Sequence, residues 1–369
     1  MNACESIKSN QITFFRKQLL TWFDQYGRHS LPWQIKKTPY KVWLSEVMLQ
    51  QTQVNTVIPY FQKFLERFPN VRSLASANLD DVLSLWAGLG YYRRARYLHQ
   101  CAQSVVSDFN GEFPTSLEQL ITLPGIGRST AGAIMSLSMN KKAAILDGNV
   151  KRVLSRFLAI EEPLNESSGM KHLWCIAEAL TPNERFDAYN QAMMDLGATC
   201  CTRSKPLCEH CPLSKKCQAY ASGQPTDYPI RAIKKKAKPT RKTQMLVLVN
   251  SKNEIFLEKR DQSGIWPGLF SLPELLIDSD IATMCKDQWS LDVQEVQKID
   301  TFTHQFTHFS LTIQPSLCYV KIGKANVLRD SIMDTFSWHS FHEALNLGIP
   351  APVKKIIQSL LQAKLLKKG

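Results

Sequence analysis

The stretch Leu117-Glu118-Gln119-Leu120-Ile121-Thr122-Leu123-Pro124-Gly125-Ile126-Gly127-Arg128-Ser129-Thr130-Ala131-Gly132-Ala133-Ile134-Met135-Ser136-Leu137-Ser138-Met139 reads as two helices joined by a tight hairpin. Gly125 and Gly127 permit a sharp turn and leave backbone N–H groups at the start of the second helix open to a phosphate. Taken alone, an ordinary helix–helix turn explains the same residues.

Working outward, apolar residues recur at helical spacing from Gln11 to about Tyr220, as in Trp43, Leu44, Val47 and Met48, so this part reads as nearly all helix. The pattern stops between Gly223 and Thr243, where Arg231 to Lys242 carries seven Lys and Arg residues and a proline. Beyond it, Met245–Val249 and Ile255–Leu257 look like strands, Phe309, Leu311 and Ile313 alternate with Ser310, Thr312 and Gln314, and Val353–Leu366 reads as a closing amphipathic helix. The expected division is a helical domain over 1–226, a basic linker over 227–242 and an α+β domain over 243–369.

A chain of 369 residues with 44% hydrophobic content can bury a core in each of two or three domains. No run approaches about eighteen uninterrupted apolar residues, and the polar start lacks a secretory signal, so a cytoplasmic protein without membrane contact is expected. A net charge of +13 suits a polyanion, either nucleic acid or an anionic surface. Ten cysteines, four of them between Cys201 and Cys217, favour a reduced compartment and one metal site over a disulfide framework.

Two carboxylates stand out. Asp147 follows the apolar run Ala143–Leu146 and precedes a helical stretch, where it could simply cap that helix. Glu46, in a helix opened by Pro39, has Val42, Trp43, Leu49 and Gln50 as its neighbours at three and four positions. Packing against Trp and aliphatic carbons would desolvate a carboxyl and raise its pKa, as a general acid at neutral pH requires; a solvated helix Glu is the alternative.

Hairpin, following helix and Asp147 together resemble the signature of helix-hairpin-helix base-excision DNA glycosylases. The resemblance narrows to the MutY adenine glycosylase family at Pro32-Trp33, the run Thr38 to Val54, Gly88-Leu89-Gly90-Tyr91-Tyr92, Ile145 to Val153, and Gln191 to Gly197. It implies an all-α catalytic domain, with the hairpin at 117–139 and an iron–sulfur loop at 201–217. The implied reaction is removal of adenine mispaired with 8-oxoguanine or guanine, by flipping the nucleotide and hydrolysing its N-glycosidic bond. Cleavage of that bond builds positive charge on the sugar, so a proton donor to the base and an anion near the sugar form a sufficient pair. The family assigns Glu46 to protonating the adenine and then assisting water, and Asp147 to stabilising the sugar cation or bonding to it transiently. Asn149 is close enough in sequence to orient Asp147, although a second helix cap explains it too.

Position 129 separates relatives that also cut the backbone, which carry a Schiff-base Lys there, from those that do not. Ser129 therefore implies base removal without efficient strand cleavage. In the family Gln51 and Tyr91 face the duplex and fill or wedge the gap left by the flipped nucleotide, while Tyr92 is read as packing. Gly125, Gly127, Arg128 and Lys151 are the remaining candidates for contact with DNA.

Cys201, Cys208, Cys211 and Cys217 have the spacing C-x6-C-x2-C-x5-C, unlike the paired C-x2-C knuckles of structural zinc sites. All-thiolate ligation suits a [4Fe–4S] cluster, and the spacing matches the family's cluster loop; zinc remains the alternative by ligand type. Cys200 is read as a buried bystander.

In the second domain Gly268 and Glu274 keep the first half of a Nudix box. Ala282-Thr283 and Lys286-Asp287 replace its remaining carboxylates, which implies a degenerate Nudix fold kept for recognition rather than hydrolysis. The family places a Phe-Ser-His loop on 8-oxoguanine, matched here by Phe306, Thr307 and His308, with a packed core histidine as the alternative for His308. The partner is therefore double-stranded DNA with A:8-oxoguanine or A:G mispairs, bound by a monomer, at the nucleoid if the source is bacterial. A glycosylase with lyase activity and a non-catalytic iron–sulfur DNA-binding protein are the competing classes; Ser129 argues against the first and the Glu46–Asp147 pair against the second.

Overall fold

The computed structural model describes residues 7–230, 238–261, 263–322 and 335–363. They form two compact units, and the division is not a single cut in the chain. Met1–Ser76 and Tyr97–Lys234 make one unit, while Ala77–Arg96 joins Lys235–Gly369 in the other.

The first unit is helical. Its main elements are α1 (Ser9–Tyr26), α2 (Pro39–Leu49), α3 (Val54–Arg67) and α4 (Val71–Ala75). After α5 (Leu79–Trp86), which lies in the second unit, come α6 (Arg93–Phe109), α7 (Leu117–Thr122), α8 (Arg128–Ser138), α9 (Gly148–Phe157), α10 (Ser167–Leu180), α11 (Phe186–Thr199) and the short α12 (Gln218–Ala221). Pro39 starts α2 as its sequence predicts, with the Thr38 hydroxyl accepting the Lys41 N–H at 3.3 Å. Helix α2 packs on α8, and α11 packs on both α9 and α1. Aromatic contacts fill the joints: the Phe15 and Phe157 rings meet edge-on at 4.8 Å, and Trp43 lies 5.2 Å from Phe113.

Two glycines set how closely the elements around Asp147 approach. A Cβ at Gly132 would collide with the carbonyl oxygen of Ala144, so only glycine lets the extended segment before Asp147 lie against α8. A Cβ at Gly197 would stand 2.5 Å from the Asn149 Cβ, so glycine likewise brings α11 against the start of α9.

The second unit carries, among the described residues, an eight-stranded sheet made of β1 (Thr240–Val249), β2 (Glu254–Lys259), β3 (Phe270–Ser271), β4 (Glu274–Leu275), β5 (Leu291–Lys298), β6 (Phe302–Gln305), β7 (Ser310–Ile322) and β8 (Phe336–Ser340). Its path is β3-β2-β1-β7-β5, with β8 paired to β2, β4 to β1 and β6 to β7. Strands β1 (Thr240–Val249) and β7 (Ser310–Ile322) run parallel at its centre, in register from Thr240 opposite Ser310 to Val249 opposite Tyr319. The predicted alternation holds: Phe309, Leu311 and Ile313 are buried, whereas Ser310, Thr312 and Gln314 are half-exposed. Helix α13 (Ile281–Trp289) contributes Cys285 and Trp289 to a core with Leu246, Phe256 and Val320. Helix α14 (Phe341–Asn346) precedes α15 (Ala351–Gln362), which buries Val353, Ile356, Ile357 and Leu360; the expected helix end at 364–366 lies outside the described residues.

The basic stretch expected to be a linker is structured at both described ends. The Ile230 carbonyl accepts the Leu164 N–H at 3.3 Å, and Thr240 to Lys242 already belong to β1, while residues 231–237 lie outside the described residues. A run of Lys and Arg has the same composition in a linker as at the exposed start of a strand, so charge does not mark the boundary. Ala77–Arg96 is anchored by its own contacts within the second unit: Lys259 pairs with Asp80 at 2.6 Å, and the Tyr92 hydroxyl donates to the Ile349 carbonyl at 3.0 Å.

Candidate active site

A cavity of about 950 Å³ opens within the helical unit, and Glu46, Gln51, Ser129, Asp147 and Asn149 line it together. Glu46 comes from α2, and Asp147 is the N-cap of α9. One Asp147 oxygen accepts the N–H groups of Asn149 and Val150 at 3.0 and 2.8 Å; the other accepts the Asn149 side-chain amide at 3.0 Å. The reading of Asp147 as a helix cap is thus correct as geometry, and the same residue faces the cavity. Ser129 accepts the Leu146 N–H at 3.0 Å, which fixes the segment leading to Asp147.

The two carboxyls differ in what surrounds their charge. Burial, with a smaller contribution from the nearby Asp147 charge, pushes Glu46 up to about 8. Burial also raises Asp147, but its bonds from Val150 and Asn149 and the Arg152 charge oppose that rise by favouring the anion. The pair thus sets a carboxyl whose proton is favoured by burial beside one whose charged form is met by hydrogen bonds.

Further polar side chains on the cavity wall escaped sequence reading. Arg28 lines it and pairs with fully buried Asp195 at 2.6 Å; Asp195 also accepts the Arg28 N–H at 2.7 Å and the Gln191 amide at 3.0 Å. Gln191, itself on the wall, is thereby fixed in orientation. Arg152 donates to the Asn149 side-chain oxygen at 2.8 Å and to the carbonyls of Cys201 and Gly197 at 2.7 and 2.5 Å. The available signal was polar residues four apart on two helices that also carry apolar faces, Gln191 with Asp195 and Arg152 with Arg156.

A second cavity is lined by Cys201, Cys208, Cys211 and Cys217 with Cys200, Arg156 and Leu207. Arg156 is buried and clamps the loop, donating to the carbonyls of Thr202 and Arg203 at 2.7 and 2.9 Å and lying 3.3 Å from the Cys201 sulfur. Among the described residues no three His, Cys, Asp or Glu side chains converge as a single-ion site does. The donor set of four thiols beside a guanidinium fits a thiolate-ligated cluster, whose cysteines bind different irons and whose negative charge Arg156 would offset.

The other predicted residues fall as follows. Gly125 has φ +77° and packs so closely on Tyr97 that a Cβ would lie 2.8 Å from the Tyr97 Cβ, while Gly127 is the N-cap of α8. The Arg128 guanidinium lies 4.1 Å from the Trp174 ring centroid and pairs with Glu178. Lys151 is half-exposed in the first turn of α9. Gln51 is exposed, with φ +58°, a strained setting for a residue with a Cβ and one that clusters at functional sites. Tyr91, in the second unit, also has positive φ and is 46% exposed, whereas Tyr92 is buried as packing requires.

In the second unit, Phe306 to Phe309 close the turn between β6 (Phe302–Gln305) and β7, the Phe306 N–H bonding the Phe309 carbonyl at 2.9 Å. Phe306 stacks on Phe309 at 4.4 Å and lies 5.5 Å from Trp266. Thr307 and His308 are exposed, so His308 is not a core histidine. Glu274 is not free for a metal: it pairs with Arg260 and accepts the Thr243 hydroxyl at 2.8 Å.

Residues 44–178 match the HhH-GPD superfamily of base excision DNA repair proteins, and 244–359 match the NUDIX domain. Adenine DNA glycosylase of Buchnera aphidicola subsp. Baizongia pistaciae is 41% identical over 94% of this chain and 96% of its own; that of Rattus norvegicus is 33% identical over 94% and 78%. A thermostable thymine-DNA glycosylase structure is 28% identical and superposes with a TM-score of 0.53, covering 58% of this chain and 98% of its own. An endonuclease III–DNA complex, 21% identical, covers 59% and 98% with a TM-score of 0.51 and shares the fold of the helical part. With a helical HhH-GPD domain followed by a Nudix-like domain, this chain belongs to the adenine DNA glycosylases, base-excision repair enzymes that act on N-glycosyl bonds.

Proposed function

We propose that the protein excises adenine paired with 8-oxoguanine or guanine, without efficient strand cleavage. The observation that carries this reading is the pairing of Glu46, whose proton is favoured by burial, with Asp147, whose carboxyl accepts three hydrogen bonds. The flipped adenine enters the cavity of about 950 Å³, where the Glu46 carboxyl gives its proton to the departing base. Asp147 meets the positive charge on the sugar, Asn149 holds Asp147 in place, and Glu46, now a carboxylate, takes a proton from the attacking water. Gln191 and Arg28 supply the polar edge that meets the base.

Base removal without lyase activity is supported by Ser129, which offers a hydroxyl held by the Leu146 N–H and no amine for a Schiff base. Backbone N–H groups at the Gly125–Gly127 hairpin hold a phosphate, since the Arg128 side chain is engaged by Trp174 and Glu178. Lys151 adds a second backbone contact, and Gln51 and Tyr91 face the duplex. A [4Fe–4S] cluster held by Cys201, Cys208, Cys211 and Cys217 would pin the loop that carries Arg203, Lys205, Lys215 and Lys216 and supply structure to the fold. Thr307 and His308, on a turn fixed by Phe306, read the 8-oxoguanine. The working form is a monomer, at the nucleoid if the source is bacterial. No helix among the described residues is long and apolar enough to cross a membrane.

Single-turnover assays on duplexes with A opposite 8-oxoguanine, G, C or T, developed with and without alkali, test this. Adenine release opposite the first two, with strand breaks only after alkali, is expected. Breaks without alkali, or equal release opposite all four bases, contradict it.

A further inference from the structure

Tyr91 ends a loop whose backbone is held in an uncommon shape. Gly88, Gly90 and Tyr91 have φ of +104°, +70° and +50°, and at Tyr91 the Cβ makes that setting costly. The loop leaves α5 with the Leu89 N–H bonded to the Trp86 carbonyl at 3.1 Å, and it enters α6 with the Arg94 N–H bonded to the Tyr91 carbonyl at 2.8 Å. Arg94 folds back over it. The guanidinium donates to the carbonyls of Leu89 and Gly90 at 3.2 and 3.1 Å, and it lies 5.2 Å from the Trp86 ring centroid and 5.5 Å from that of Tyr91. The Trp86 indole N–H reaches the same Gly90 carbonyl at 3.1 Å. Trp86 is fully buried and Arg94 nearly so, which makes cation and indole a fixed support for a tyrosine that stays half-exposed. Helix stability does not account for this placement, since a cation in the first turn of α6 meets the positive end of the helix dipole.

We propose that Arg94 is a positioning residue for Tyr91, holding its ring in the pose in which it meets the duplex. The inference rests on the reading given above that Tyr91 faces DNA. A half-exposed side chain on a loop would otherwise sample several rotamers, and ordering it on contact with DNA would subtract from the interaction gained. The planar guanidinium lies against the Tyr91 ring and ties down the two carbonyls that precede it, so the ordering is complete before DNA arrives. Arg94 acts through Tyr91 and needs no contact of its own with the nucleic acid.

The test is a double-variant cycle on the full-length protein with Arg94→Met, Tyr91→Ala and the two combined. Two quantities are read on a duplex with A opposite 8-oxoguanine. One is the single-turnover excision rate. The other, with an uncleavable adenine analogue, is the fluorescence of 2-aminopurine placed beside the analogue, at saturating protein so that affinity drops out. Stacking of an aromatic ring on bases is worth enough that Tyr91→Ala should slow excision by about tenfold, and Arg94→Met by about three- to tenfold. The double variant should match Tyr91→Ala within about twofold, because a residue that acts only through Tyr91 has nothing left to position. The 2-aminopurine signal should fall in all three variants.

Arg94→Met at the wild-type level, or a loss that multiplies onto that of Tyr91→Ala, overturns the positioning role. Tyr91→Ala equal to wild type in both readings overturns the duplex-facing role of Tyr91 itself, so the two failures are distinguishable. If Arg94→Met yields no soluble protein, Arg94→Lys takes its place in the cycle with the same deciding outcomes, since it keeps the charge and a donor but loses the planar face. Loss of soluble protein from both variants assigns Arg94 to the fold alone and likewise overturns the proposal.

Discussion

The helical cavity and the turn at 306–309 place polar residues in opposite settings. Around Glu46 and Asp147 the polar side chains line a cavity, and Asp147, Asn149, Arg152, Gln191, Asp195 and Arg28 are held by hydrogen bonds within the unit. At the turn Phe306 and Phe309 pack on one another, and Thr307 and His308 stand exposed. Chemistry needs the first setting, because a carboxyl keeps its proton at neutral pH only when its charged form is poorly solvated. Reading a damaged base needs the second, because the hydrogen-bonding groups must be free to meet it. The retained Glu274 makes the same point, since its pairing with Arg260 and Thr243 turns a former metal-site residue into part of the fold.

The sharpest way to break this contrast is in the cavity. Glu46→Gln keeps the shape but cannot donate a proton, and adenine excision is expected to fall by about 10²–10⁴ while binding to a duplex with an uncleavable adenine analogue is unchanged. Asp147→Asn is expected to fall comparably, by losing the anion opposite the sugar cation. Single-turnover rates alongside binding isotherms separate the two quantities; a Glu46→Gln protein within about tenfold of wild type places the proton elsewhere.

At the turn the expected effect is smaller and of another kind. On the proposed reading Thr307→Ala and His308→Ala would each remove one hydrogen bond to the lesion, worth about 1–1.5 kcal/mol, so the preference for A:8-oxoguanine over A:G should drop by about tenfold. The excision rate on A:G should hold. A loss shared equally by both substrates assigns the turn to general DNA contact. Point variants suit this better than truncation after Lys234, which would strip Ala77–Arg96 of its packing partners.

A third effect is on stability. The unfolded chain ionises Glu46 near its ordinary value of 4.5, whereas the folded protein keeps the proton until about 8. The folded state then binds more protons, and stability contributed by this group declines as pH rises through that window and levels off above it. Glu46→Gln should remove the decline, raising Tm relative to wild type by more at pH 8.5 than at pH 5, as read by thermal melts at both pH values. Equal Tm differences at the two pH values mean that burial does not hold the Glu46 proton.

Much of this was legible in sequence for identifiable reasons. Pro39, Gly125, Gly127 and the cysteine spacing act through local geometry, so their consequences appear at their own positions. Glu46 could be paired with Asp147 only through resemblance to a family, since nothing local brings residue 46 to residue 147. The buried supports stayed hidden because Arg28 and Asp195, or Arg152 and Cys201, meet only after α1, α9 and α11 pack. Grouping of Ala77–Arg96 with the second unit was likewise invisible, because an amphipathic helix such as α5 does not encode which apolar surface it covers.

The account stands most directly on the Glu46 proton. Single-turnover excision of adenine from an A:8-oxoguanine duplex, followed from pH 6 to pH 10, should be flat at the acid end and fall by about tenfold per pH unit once above the Glu46 pKa of about 8. A rate that stays constant or rises through that range, with DNA binding intact, contradicts a proton donor held by burial.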